Sequence, residues 1–136
     1  MELRAFEGRW RIEREIEDVA AGRTGRFVGE AVFAAVAGGL DYAETGTLAF
    51  DGAAPMAACR RYLWRDAGSG TVEVCFEDGR FFHRIDLEAP LPAAAHACAP
   101  DLYRVRYDFG DWPRWRAEWR VSGPRKDYAM VSRYAR

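Results

Sequence analysis

Three polar side chains interrupt the apolar faces of otherwise regular β-strand patterns. Arg14, Glu44 and His83 each stand where the alternation of the surrounding residues calls for an inward, apolar side chain. A buried charge is costly unless it is paired or serves a function. We therefore expect these residues to meet at one level of the interior and to orient a ligand that bears an acidic or carbonyl group. The alternative is structural: Arg14 and Glu44 form a buried ion pair, and His83 donates a hydrogen bond to a backbone or tyrosine oxygen.

The same three residues permit an enzymatic interpretation. His83 would then be a general acid or base oriented by Glu44, and Arg14 would stabilise developing negative charge. No nucleophile elbow, phosphate-binding loop or dinucleotide fingerprint is present, so the sequence leaves the catalytic residues unknown. His96 and Cys98 stand two residues apart, but a zinc or iron site needs at least a third ligand. We therefore predict no metal and no cofactor.

The strands that would position these residues are clearest in the last third of the chain. Residues 102–109 and 114–121 alternate aromatic or aliphatic side chains with charged ones, a period of two that is typical of strands. A third run follows the turn at 122–125, and the pattern predicts an antiparallel meander with an aromatic inner face. With the three polar residues, the ligand-binding wall is predicted to include Tyr103, Tyr107, Trp115, Trp119 and Tyr128.

The upstream residues supply further strands. Alternation predicts a first strand up to residue 17, a second over 26–34, a third over 40–50 and a fourth over 57–65, whose inner face the pattern does not decide. Residues 93–98 read equally as a short helix or a strand. The fold class predicted is all-β, an antiparallel up-and-down β-barrel of nine or ten strands, in a single domain over residues 1–136.

A hairpin over residues 71–87 is the sharpest local prediction. Asp78-Gly79 between two alternating runs predicts a two-residue turn, in which both central residues have positive φ. Such a turn pairs Glu77 with Arg80, Phe76 with Phe81, Cys75 with Phe82, Val74 with His83, and Glu73 with Arg84. The inner face is then predicted to hold Val72, Val74, Phe76, Phe81, His83 and Ile85.

The amino-acid composition limits the kinds of partner that the chain is expected to bind. With 20 basic and 21 acidic side chains and a net charge of −1, the chain lacks the excess of Lys and Arg that phosphate neutralisation requires, so we predict no nucleic-acid partner. No apolar run has the length to cross a bilayer, and no secretory signal pattern opens the chain, so we predict no membrane partner and a cytoplasmic location. Three cysteines without paired spacing fit that compartment. The outward stripe of Arg with Asp108 and Glu118 is either a solvated face or the interface of a homo-oligomer.

Gly8-Arg9-Trp10 on the first strand, the meander and Arg133 on the final strand together resemble the calycin group, which comprises lipocalins, fatty-acid-binding proteins and bacterial relatives. The resemblance implies that Trp10 plugs the closed end of the barrel and that Arg133 packs over it. The whole chain, especially residues 76–83 and 123–128, also resembles an uncharacterised bacterial family of unknown function. The leading hypothesis is a barrel that binds a small, mostly apolar molecule with a polar head group. A filled barrel that binds a protein partner through its exterior is the other non-enzymatic hypothesis.

Overall fold

The computed structural model describes residues 1–136 as a short 3-10 helix, Leu3–Phe6, followed by ten β-strands. No helix in it combines the length and the apolar character needed to cross a membrane. The strands are β1 (Gly8–Asp18), β2 (Arg23–Val36), β3 (Gly39–Phe50), β4 (Met56–Gly68), β5 (Thr71–Phe76), β6 (Phe81–Asp86), β7 (Ala93–Cys98), β8 (Asp101–Asp111), β9 (Arg114–Ser122) and β10 (Asp127–Ala135).

All ten strands belong to one antiparallel sheet in the order β6-β5-β4-β3-β2-β1-β10-β9-β8-β7. Strands that follow each other in sequence pair with each other, except β6 and β7, and β1 pairs with β10. β6 and β7 lie side by side but share no ladder, so the barrel is nearly closed, and we call this junction the seam. The prediction of an antiparallel up-and-down barrel is confirmed, and residues 93–98 form a strand.

Side-chain alternation places the apolar residues inside, as the sequence predicts. Trp10 and Ile12 on β1 are fully buried, whereas the intervening Arg11 is exposed. β9 repeats this pattern. On β4, whose inner face the sequence left open, Trp64 is buried against the core, so the positions that alternate with it face inward.

The hairpin between β5 and β6 differs from the prediction at its turn. The Gly79 amide donates to the Phe76 carbonyl at 2.9 Å, and the Phe76 amide donates to the Arg80 carbonyl at 2.8 Å, which gives a three-residue loop. Gly79 has positive φ and Asp78 does not, so the predicted two-residue turn is wrong. The predicted ion pair of Glu77 with Arg80 is also wrong, because Arg80 contacts Asp78 at 2.7 Å.

A β-bulge corrects the register that the sequence predicts for this hairpin. Val74 pairs with His83 and Glu73 with Arg84, as predicted, but Cys75 pairs with Phe81. Phe82 is therefore the extra residue of a bulge, which lets two successive side chains face one way. His83 is 3% exposed and points inward as predicted. Phe81, predicted to face inward, is 49% exposed, and Phe82 at 5% takes its place in the core.

Aromatic side chains fill one end of the barrel. The Trp10 indole N–H donates to the Phe6 carbonyl at 2.8 Å, which ties the 3-10 helix across this end. The ring of Phe6 lies 4.9 Å from that of Trp112 and 5.4 Å from that of Trp115, between centroids. The arginine over Trp10 is Arg136, with its guanidinium 3.9 Å from the ring centroid.

Arg133, which the resemblance places over Trp10, lies elsewhere. It occupies an outward position of β10, half exposed, and contacts Glu15 at 3.4 Å. Arg136 also donates to the carbonyl oxygens of Glu7 and Ala5, so it joins the end of the chain to the 3-10 helix. The side chain that covers Trp10 therefore follows the final strand instead of standing within it.

Candidate functional site: an interior polar cluster

Arg14 is the centre of a buried hydrogen-bond network. Two of its guanidinium nitrogens donate to the two carboxylate oxygens of Glu44, at 2.7 and 3.0 Å, and its Nε donates to Ser132 Oγ at 2.6 Å. Arg14 is 7% exposed and Glu44 is 3% exposed. A bidentate pair of this kind combines opposite charges with fixed geometry. Together with the bond to Ser132, this pair joins three strands, β1, β3 and β10, from inside the barrel.

Two tyrosines extend this network on the side of Glu44. The Tyr42 hydroxyl donates to Glu44 Oε1 at 2.6 Å. The hydroxyl oxygens of Tyr42 and Tyr134 are 2.9 Å apart, and since Tyr42 already donates to the carboxylate, Tyr134 is the donor in this second bond. Tyr134 in turn stacks on Trp115 with centroids 3.7 Å apart. Both Glu44 oxygens are thus engaged.

The network keeps both of its ionised groups charged at neutral pH. Burial by itself would raise the pKa of Glu44, but the hydrogen bonds and charge of Arg14 outweigh it, so the pKa is lowered. Burial would likewise lower the pKa of Arg14, and the bond to Glu44 reverses this, so the pKa is raised. The result is a buried pair of opposite charges that carries no net charge.

His83 belongs to a second, smaller polar group. Its Nε2 lies 2.9 Å from the Tyr107 hydroxyl, whereas its Nδ1 is buried without a partner. Burial, helped by the nearby charge of His96, lowers the pKa of His83 to about 3, so the ring is neutral at neutral pH. A neutral imidazole has one N–H donor and one acceptor nitrogen. The Nδ1 atom therefore remains free to form one hydrogen bond, as a donor or as an acceptor according to the tautomer.

Residues of both polar groups line one small cavity. Its volume is about 40 Å³, and among the predicted ligand-binding residues its wall includes Arg14, Glu44, His83, Tyr107, Trp115 and Trp119. The Trp115 Nε1 atom is the other buried side-chain nitrogen without a hydrogen-bond partner. A second cavity of about 70 Å³ shares Arg14, Glu44 and Arg60 with the first. Residues of the polar cluster therefore line two small cavities.

Tyr103 and Tyr128, also predicted to line the site, lie outside both cavities. Both are half-buried near the end of the barrel opposite Trp10. The Tyr103 hydroxyl accepts a hydrogen bond from Lys126 Nζ at 2.9 Å, and Lys126 also contacts Asp101 at 3.3 Å. We call this end the mouth.

The cluster contains four residues that sequence reasoning missed: Tyr42, Arg60, Ser132 and Tyr134. Tyr42 had a usable signal, because it stands two residues before Glu44 on the same face of β3. Ser132 and Tyr134 likewise alternate with the inward Met130 on β10. Arg60 gave no usable signal, since the alternation along β4 allows either of its two faces to point inward.

The contacts bear on the enzymatic interpretation. Glu44, the residue expected to orient His83, is bonded to Arg14 and Tyr42, and the partner of His83 is Tyr107. The expected Glu44–His83 pair is therefore wrong. No group of three or more His, Cys, Asp or Glu side chains is placed to hold a metal ion.

The nearly closed antiparallel barrel, plugged at one end by Trp10 and holding a polar cluster inside, is a calycin-like barrel. More particularly, residues 6–136 match the model of a family of unknown function, DUF6314, and the chain belongs to that family. Both resemblances stated from the sequence are thereby confirmed.

Comparison with other proteins adds a likeness of fold. The solved structure of an S-type phycobiliprotein lyase, CPES, from Guillardia theta superposes with a TM-score of 0.64 at 8% identity, over 96% of this chain and 87% of the lyase chain. Identity this low shows a shared fold and assigns no residue a role. No curated protein matches the chain.

Proposed function

We propose that the barrel binds a small, mostly apolar molecule whose polar head group sits in the interior polar cluster. The observation that carries this proposal is that two residues lining one cavity, His83 and Trp115, each have a buried side-chain nitrogen, Nδ1 and Nε1, without a hydrogen-bond partner. Leaving a buried polar atom without a partner costs about 1–3 kcal/mol, and native proteins rarely do so. An oxygen acceptor on a bound molecule would satisfy the Trp115 N–H, and either tautomer of His83 could bind a carbonyl or carboxyl group.

The size of the two cavities limits the ligand. Drug-sized ligands occupy pockets of about 300–1,000 Å³, whereas these cavities measure about 40 and 70 Å³. The proposal is therefore a ligand of a few non-hydrogen atoms. A larger ligand requires side chains of the cavity wall to move, among them Phe82 and Trp119, whose ring centroids are 5.2 Å apart.

The likeness to the lyase supports this proposal at the level of architecture alone. A calycin-like barrel is able to enclose a small molecule, as barrels of about this size do when their interior is not filled by side chains. We also propose a cytoplasmic location, which the three free cysteines, Cys59, Cys75 and Cys98, support.

Native mass spectrometry of protein purified without added ligand, paired with an absorption spectrum of the same sample, tests the proposal. We expect extra mass that leaves on denaturation. Ala117→Val adds two carbons to the cavity wall and removes no polar atom, so it should lower the occupancy. Ala95→Val, at an exposed position of β7, should retain it.

The proposal fails if wild-type protein carries no extra mass and if no member of a panel of small carbonyl and carboxyl compounds changes its tryptophan fluorescence. That outcome would favour the second candidate, a filled barrel that binds a protein partner through its exterior. The small volume of both cavities is the observation on its side. Chemical change of a recovered ligand during incubation would instead indicate an enzyme.

A further inference from the structure

A second arginine beside the cavities, Arg60, is exposed and lies near Glu44 without forming an ion pair with it. It pairs in register with Glu44, and facing residues of an antiparallel pair point to the same side of the sheet. Arg60 lines both cavities, and its side chain keeps access to solvent at the mouth. Whereas Arg14 holds the Glu44 carboxylate with two bonds, Arg60 takes part in none of the ion pairs of the structure.

The groups around Arg60 do not neutralise it. Glu44 is the carboxylate that shares its cavities, and both Glu44 oxygens already accept bonds from Arg14. Burial raises the pKa of the nearby phenols of Tyr62 and Tyr128, so both are neutral at neutral pH. Arg14, Glu44 and Arg60 together therefore carry one net positive charge, and it is the exposed Arg60 that supplies it.

We propose that Arg60 is an anion-binding residue at the mouth and that the ligand of the barrel is a short-chain carboxylate. This inference rests on the proposed small-molecule function and names the chemical class of the head group. A guanidinium matches a carboxylate with two parallel hydrogen bonds. The apolar side chains around the second cavity, Ile16, Phe27, Leu48 and Met130, are placed to contact a short aliphatic tail.

One negative charge and a small volume favour a carboxylate over a phosphate. A phosphate monoester carries between one and two charges at neutral pH, which exceeds the single net charge of these three residues. The cavity of about 70 Å³ has space for a carboxylate with a few carbon atoms.

Propanoate and propanamide form a matched pair of probes, because they differ in charge and hardly in size. Each is titrated at neutral pH into the wild-type protein, and the side-chain N–H signals of the arginines and tryptophans are followed by NMR. Charge-assisted hydrogen bonds are worth more than neutral ones, so propanoate should bind about tenfold more tightly than propanamide or better.

Three variants separate Arg60 from its neighbour. Arg60→Gln should abolish the preference for propanoate. Arg60→Lys retains the positive charge but lacks the two parallel N–H donors of the guanidinium, so it should keep part of the preference. Arg61→Gln is the matched control: this adjacent side chain is 56% exposed and lies near Asp41. It should keep the full preference.

Each outcome decides the inference. Equal affinity of the wild type for both probes, or an undiminished preference in Arg60→Gln, overturns the carboxylate assignment but leaves small-molecule binding in place. If neither probe binds, the carboxylate assignment is overturned, and the native mass spectrum of the purified protein decides separately whether the barrel holds any small molecule.

Discussion

Arg14 depends on Glu44, because this carboxylate is its one ion-pair partner, and Glu44 forms its own ion pair with Arg14 alone. Replacing a buried ion pair by apolar residues is often tolerated, whereas removing one partner leaves the other charge buried and unpaired. Ser132 and Tyr42 supply hydrogen bonds to the pair but no charge. A single substitution that removes either charge is therefore expected to destabilise the folded protein.

Glu44→Gln should lower the free energy of unfolding by about 3–5 kcal/mol, because it leaves the Arg14 guanidinium without a buried counter-charge. Urea denaturation followed by tryptophan fluorescence measures the change. Glu30→Gln is the control, since its ion pair with Arg9 at 2.8 Å lies at the surface. Its effect should stay within about 1 kcal/mol, and equal losses in both variants would contradict the buried pair.

His83 should make stability depend on pH. Burial lowers its pKa in the folded protein to about 3, whereas the unfolded chain binds the proton with a pKa of about 6.5. Between these values the unfolded state binds more protons, so the free energy of unfolding falls as the pH drops below about 6.5. Above that pH the contribution is constant.

The expected slope approaches about 1.4 kcal/mol per pH unit near pH 5. Unfolding free energies measured at pH 7, 6 and 5 for the wild type and for His83→Gln give the comparison. The variant should lose most of this slope. Glu44 has little influence over most of this interval, because its contribution is lost only as the pH falls towards about 4.3, the pKa of a glutamate in the unfolded chain. An unchanged slope in His83→Gln would assign the pH dependence to other groups.

Alternation predicts which residues point inward but not which of them touch. Arg14, Glu44 and His83 each interrupt an apolar face, and that signal was sufficient to find them. Their partners depend on the tilt and curvature of strands distant in sequence: Arg14 contacts Ser132, 118 residues away. For this reason the sequence suggested a Glu44–His83 pair that the fold does not form.

At the scale of strands, the bulge in β6 reverses the roles of two adjacent phenylalanines. Phe82→Ala should lower the free energy of unfolding by about 3–5 kcal/mol, because it removes a core ring. Phe81→Ala, at a 49% exposed position, should lower it by less than about 1 kcal/mol. Chemical denaturation of the two variants measures the difference. Losses in the opposite order would support the register without a bulge.

The sequence around this hairpin did not reveal the bulge, because both faces look apolar there. Val74, Cys75 and Phe76 run together on one strand, and Phe81 and Phe82 on the other. A one-residue shift moves each side chain to the opposite face, yet here it exchanges one apolar side chain for another. Tertiary packing distinguishes the two registers, since Phe82 stacks against Trp119 and Phe76 in the core.

Arg136 joins the end of the chain to the closed end of the barrel. Arg136→Ala should lower the free energy of unfolding by about 1–2 kcal/mol, since it removes a cation–π contact with Trp10 and charged hydrogen bonds to two carbonyls. Arg133→Ala removes only a surface contact and should change it by less than about 0.5 kcal/mol. Thermal unfolding of both variants checks this order.

For the molecule as a whole, regular alternation in most strands was sufficient to predict an antiparallel barrel. Short turns between consecutive strands imply neighbouring positions in the sheet. The pairing of β1 with β10 and the absence of a ladder between β6 and β7 carry no local signal, since they depend on how ten twisted strands curl.

The seam also makes the sheet a single ribbon in which the first and last strands, β1 and β10, lie in the middle. Eight of its nine ladders join consecutive strands, and the β1–β10 ladder alone joins distant parts of the chain. A circular permutant cut between β6 and β7, with residue 136 linked to residue 1, would turn this distant pairing into a hairpin. Its contact order would fall, so stopped-flow measurements should show faster folding of the same barrel.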